Sequence, residues 1–327
     1  PVLQGHISDP SNLQFGNPQL IAMNLPIHPE ISTPRFVIAL AAEPWARQYA
    51  IWSSPTLSDF SLRKTVTSRS QIGTLLQPLG PGPEGRWDNA NEISIQLSGD
   101  PLESKSTPQI LNGANAAAIH CANGDWEILQ FANADLQGDG YWILSGLLRA
   151  QLGSDSAMYA GAEFGARFVL LDAGIGTIDL TELETGLELN WRAGPADDPI
   201  SASTYSQITH THMNVSKRPY SPVHLEAANS SNDDIILSWI RRSRISSDSW
   251  DAVEIPLGET EETYLVEILD DGGSTVRTVY VQEPQYVYTP AEQIEDHGQL
   301  VSVLEFSVAQ IASSGLPGTA RRLEMQL

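Results

Sequence analysis

One cysteine in 327 residues, Cys121, leaves this chain without an internal disulfide, so its stability has to come from burial. Lysine is nearly as scarce, with only Lys64, Lys105 and Lys217. No apolar run approaches the roughly 18–20 residues that a membrane-spanning helix needs, which argues against membrane insertion. No stretch shows the i, i+3, i+4, i+7 apolar recurrence of a long amphipathic helix, which argues against a helical fold. The opening PVLQGHISDP has neither an initiating methionine nor the basic head and apolar middle of a secretory leader. Residue 1 is therefore expected to lie inside a longer polypeptide.

What is present is acid. Eighteen basic residues face 40 acidic ones, for a net charge of −22. Both halves share it: 10 basic and 22 acidic residues fall in 1–216, and 8 and 18 in 217–327. Binding to a phosphate backbone or an anionic lipid surface rests on lysine and arginine displacing counterions, so nucleic acid is excluded as a partner. With the same charge on every copy, and no coiled-coil heptads, the isolated chain is expected to be monomeric in low salt.

The remaining pattern is that of strands. EISIQLSGD alternates apolar and polar positions; WEILQFANA (126–134), YWILSGLL (141–148), ARFVLLDAG (166–174) and GLELNWRAG (186–194) are further candidates broken by Asn-Gly, Gly-Asp-Gly or Ala-Gly turns. Phe36–Ala42 is an apolar run suited to a buried strand. The pieces near 101–107 and NGANAAAIH (112–120) could form at most a turn or two of helix. The fold class is thus all-β, of sandwich or barrel type. GPADDPISASTYSQ followed by the prolines of KRPYSP marks a boundary, giving domains 1–216 and 217–327. The order of segments in 217–327 is that of a fibronectin type III module, a seven-stranded sandwich with Trp239 inward on its second strand.

Candidate chemistry is sparse. Ser145, Arg149 and Asp155 gather in YWILSGLLRAQLGSDSA, but the nucleophile elbow is missing and the nearest histidine in sequence is His120. The expectation is a corner: Leu147 and Leu148 bury, Arg149 anchors a carboxylate or loop carbonyls, and Gly153 lets the chain bend. His210 and His212 would share one face of a strand and so could share a metal ion, though two ligands do not close a site outside a symmetric oligomer. Asp135–Gly140 falls short of a calcium loop and reads as a hairpin turn. Eight tryptophans are more than a core demands, and Trp250, in a polar acidic loop, is the one expected to be exposed. No enzyme, cofactor or resident metal is predicted.

The blocks GPEGRWDNANEISIQL, LESKS, ILNGANAA, WEILQF and SGLLRAQLGSD, in that order, resemble the C-terminal part of the large tail-tip protein ("megatron") of gene transfer agents and related siphophages. The resemblance covers most of 1–200, and 217–327 as the type III module that follows it, and departs from the family at Ala150 and Ser154, where glycine and threonine are usual. It implies a baseplate domain that docks tail fibres or receptor-binding proteins, followed by the type III module, at the virion tail tip after assembly in the host cytoplasm. It also implies a homotrimer in the particle, held by upstream domains absent here. The alternatives are a carbohydrate-binding module that contacts host surface glycans through exposed aromatics, and a polysaccharide-cleaving accessory domain.

Overall fold

In a computed structural model that describes residues 16–27, 33–245 and 255–327, the chain is almost entirely strand. The elements in order are β1 (Gln19–Met23), β2 (Arg35–Ala41), β3 (Tyr49–Ser54), β4 (Ser61–Val66), β5 (Ile72–Leu75), β6 (Ile93–Ser98), α1 (Thr107–Leu111), β7 (Ala116–His120), β8 (Trp126–Leu136), β9 (Trp142–Gln151), α2 (Asp155–Ala160), β10 (Arg167–Leu170), β11 (Gly176–Asp179), β12 (Glu188–Pro195) and β13 (Ser206–Thr211). There follow β14 (Val223–Asn229), β15 (Ile235–Ile240), β16 (Tyr264–Leu269), β17 (Thr275–Val281), β18 (Gln285–Tyr288), α3 (Pro290–His297), β19 (Val303–Gln310) and β20 (Arg321–Gln326). Two compact units result: described residues up to 25 with 33–149 and 160–213, and residues 26–27 with 150–159, 214–245 and 255–327.

The first unit holds a closed barrel of order β10-β5-β6-β9-β8-β7, and closure removes the open edges that a flat sheet would expose. Beside it, the sheets β1-β2-β11 and β13-β12-β3-β4 share one core, in which Phe36 meets Trp191 edge-on at 4.8 Å among Ile38, Tyr49, Ile51, Ile178 and Leu189. The edge strand β4 carries Arg63 and Lys64, charges of the kind that discourage edge-to-edge pairing.

NGANAAAIH is not helical. The helix lies before it, where Pro108 falls in the first turn and the Gln109 carboxamide accepts from the Ser106 amide at 3.0 Å, and it stops at Asn112-Gly113. Ala116–His120 instead pairs with β8 and β10, because closing the barrel between those strands outweighs alanine's helical preference.

In the second unit a three-stranded sheet, β14-β15-β18, faces a four-stranded one, β17-β16-β19-β20, the strand arrangement of a fibronectin type III-like sandwich. Trp239 lies between them, 4% exposed and 5.2 Å from the Tyr264 ring, with Leu237, Val266, Phe306 and Val308 around it. Thr289 caps α3 through a reciprocal pair with Glu292, and Gly298 ends it in the left-handed region at φ 75°. Arg277 on β17 ties that helix down through Glu292, Glu295 and Asp296. Trp250 lies outside the described residues.

Candidate functional site: a loop clamped by a buried ion cluster

Leu76–Glu92 joins β5 to β6 without secondary structure of its own. A loop of that length exceeds the usual connection, and such loops are commonly functional. Its sequence, LQPLGPGPEGRWDNANE, has three prolines and three glycines, and on its own would have no reason to hold one shape.

The barrel supplies the reason. Arg149 on β9 aims its fork at Glu127 on β8, donating from Nε to one carboxylate oxygen at 2.6 Å and from Nη2 to the other at 2.8 Å. The same guanidinium donates to the Gly80 carbonyl at 3.1 Å and to Asp88 at 3.4 Å. Side-chain exposure is 0% for Arg149 and 1% for both Glu127 and Asp88, so the cluster has no water to fall back on. Burial works against the charged guanidinium, but the hydrogen bond to Glu127 and the charges of Glu127 and Asp88 outweigh it and raise the Arg149 pKa.

Asp88 is the loop's anchor. Its backbone amide and carbonyl exchange hydrogen bonds with Leu147 at 2.8 and 3.0 Å. Its carboxylate accepts from the Ala90 and Asn91 amides at 3.1 Å each and from the Asn91 side chain at 2.7 Å. Burial pushes that carboxyl's pKa up, yet these donors and Arg149 together hold it below the ordinary value. Gly82 passes so close that an added Cβ would sit 2.6 Å from an Asp88 oxygen and 2.9 Å from Arg149 Nη1. Nearer β5, Leu79 and Ala162 exchange a second pair of backbone bonds at 2.8 and 2.9 Å. Cys121, which feels the same charges, has its thiol pushed up to about 12 by burial and by Glu127, so it stays an unreactive thiol.

YWILSGLLRAQLGSDSA is therefore a strand, a corner and the start of a helix. Leu147 is buried, Leu148 only half-buried, and Arg149 is the anchor the sequence suggested. Ala150 and Leu152 each have φ 54° and Gly153 φ 75°, so the corner runs through the left-handed region. Ser145 bonds to Asn133 at 3.2 Å, and His120 packs edge-on against Trp126. Asp155 accepts from Ser221 Oγ and from Arg242 at 2.8 Å, within the unit that contains the sandwich. Each of the three has its own neighbours, and these bonds do not join them as a nucleophile, base and orienting acid.

His210 and His212 do share a face, both rings lying against Phe36 at 5.3 and 5.8 Å. His212 is buried with Nδ1 3.1 Å from Asn24 Oδ1, and burial pushes both imidazoles down to about 4, where they stay neutral at ordinary pH. Among the described residues no three His, Cys, Asp or Glu side chains are grouped to hold a metal ion. Asp135–Gly140 is a hairpin turn, with the Gln137 amide donating to Tyr141 and Gly140 at φ 81°. Trp126, Trp191 and Trp239 are buried and Trp45, Trp52, Trp87 and Trp142 half-buried, so no described tryptophan offers an open sugar platform.

The sandwich carries an open cleft of about 710 Å³ lined by Asp270, Asp271, Asp296, His297, Glu305 and Glu324. Asp296 is engaged by Arg277 and Tyr288, and Asp270 by the amides of Gly272 and Ser274. Arg322 holds the pKa of Glu305 down, the reverse of what a general acid needs.

A family model described as "Rcc01698-like, C-terminal" matches residues 70–169, the stretch that contains the loop, Glu127 and Arg149. No curated protein matches. Similar solved structures include the rat CD45 extracellular region, domains d3-d4, at 13% identity over 48% of this chain and 72% of that one, with a TM-score of 0.25. A cytokine receptor complex gives 9% over 72% and 90%, TM-score 0.25. The chicken CNTN1 FN1-FN3 domains give 11% over 96% and 98%, TM-score 0.22. At these scores the type III assignment rests on the strand order above.

Proposed function

We propose that this chain is a structural, non-enzymatic part of a phage or gene-transfer-agent tail tip that docks tail fibres and supports host attachment. One observation carries the reading. Asp88 of the WDN block, Glu127 of WEILQF and Arg149 of SGLLR, apart in sequence, meet in a single buried cluster. Three of the five blocks that carry the family resemblance thus converge on holding one surface loop, an arrangement suited to recognition. Among the described residues no three His, Cys, Asp or Glu side chains are grouped there to hold a metal ion, and the two carboxylates of the cluster are both engaged by Arg149. Tail fibres and other baseplate proteins are the partners, and the trimer of the particle is held by domains upstream.

Imaging of intact particles carrying a C-terminal tag on this chain tests the proposal. Label at the tail tip supports it; label on the head or tube, or only on protein outside particles, overturns it. Binding to a glycan array by the purified chain would move the reading to a carbohydrate-binding module.

A further inference from the structure

We infer that the clamped loop Leu79–Asn91 and the adjoining turn Ala162–Gly165 form the docking surface, and that its occupant is a different protein subunit offering an apolar notch for Phe164. This rests on the tail-tip reading above and adds the surface and the kind of partner.

Phe164 is 70% exposed, at odds with what a phenylalanine gains from burial. It is not on a loose tail. Its turn is bracketed by the Leu79–Ala162 pair, by the Gly165 amide on the Leu75 carbonyl at 2.8 Å and by the Ala166 amide on the Glu163 carbonyl at 3.1 Å. The same Leu79 belongs to the loop that Arg149 and Asp88 hold from beneath. At that loop's tip, beyond Gly85 with φ 64°, Arg86 is exposed and makes no ion pair among the described residues, and half-buried Trp87 follows it. Phenylalanine, tryptophan and arginine on braced backbone match the composition of binding hot spots, and the bracing lowers the entropy lost on association.

The charge selects among occupants. A second copy would set −22 against −22, and nucleic acid and anionic lipid are repelled in the same way. A distinct protein, neutral or basic around an apolar notch, meets no such barrier.

The test is photo-crosslinking in assembled particles. Phe164→p-benzoylphenylalanine is expected to give one dominant adduct, to a particle protein other than this chain. The same label at Leu111, 68% exposed on α1, is the control and should give no such adduct. In parallel, Phe164→Ser with Arg86→Ala should leave the chain in the particle and at least tenfold fewer fibres at the tip. An adduct to a second copy, to glycan or to nothing, or normal fibre occupancy in the double variant, overturns the inference while leaving the tail-tip reading intact. Absence of this chain from the tip overturns both.

Discussion

Replacing Arg149 by methionine removes the cation and leaves Glu127 and Asp88 facing each other without it. Methionine keeps much of the side chain's bulk, so the change isolates charge and hydrogen bonding from cavity formation. At least four donor contacts disappear, among them two to Glu127, one to Asp88 and one to Gly80. Breaking a buried pair from one side costs about 3–5 kcal/mol, because an uncompensated charge stays behind. Against a total of about 5–15 kcal/mol for a domain, that is a large fraction. All of these contacts lie within the unit that contains the barrel, so the loss is read there. Hydrogen exchange reads this directly. The Asp88 and Leu147 amides, which bond to each other's carbonyls, should lose roughly 10²–10⁴-fold in protection, at about 1.4 kcal/mol per decade. Amides of β16 and β19 serve as the internal reference. The triple change Arg149→Met, Glu127→Leu, Asp88→Asn removes all the charges together and should recover much of the loss. A penalty below about 1 kcal/mol for Arg149→Met alone would refute the argument that this cluster holds the loop.

Three further outcomes follow from the same structure. Ala150 sits at φ 54°, so Ala150→Gly should leave stability unchanged or raise it by up to about 1 kcal/mol, where the same change at negative φ would lower it; urea midpoints decide. His210 and His212 have pKa values near 4 in the fold against an ordinary 6.5, so the unfolded state binds more protons between those values. Their contribution is complete above about pH 6.5 and is lost as pH falls through 4, about 2 kcal/mol for each between pH 7 and 5; in the double variant to leucine, a urea-midpoint slope over that window as steep as the parent's would count against it. Trp239→Ala should destabilise the sandwich by about 3–5 kcal/mol, measured by denaturation of residues 214–327 within the full chain, and a loss under 1 kcal/mol would be inconsistent with a ring packed on Tyr264.

The strands were legible wherever side-chain alternation or an apolar run was decisive. EISIQL, RFVIALA and LELNWRAG each fall where period-two patterning and flanking turns put them. Ala116–His120 was not legible, because three consecutive alanines carry no alternation and their state is chosen by the neighbours β8 and β10. The anchoring role of Arg149 could be read from a lone arginine among leucines. Its partners could not: Glu127 lies 22 residues away and Asp88 61, and no spacing rule spans a barrel whose closure brings them together. His210 and His212 were legible as a same-face pair, since that follows from strand geometry alone, but their burial against Phe36 depends on a second sheet about 170 residues earlier in the chain. The same contrast explains why the loop was legible only as composition. Proline and glycine announce a loop and leave its order undetermined, while the residues that order it lie on the strands beneath. A loop braced by three charges drawn from three distant segments is a device that local propensity neither requires nor forbids. It is selected at the level of the assembled barrel, which is also where a docking surface has to be selected.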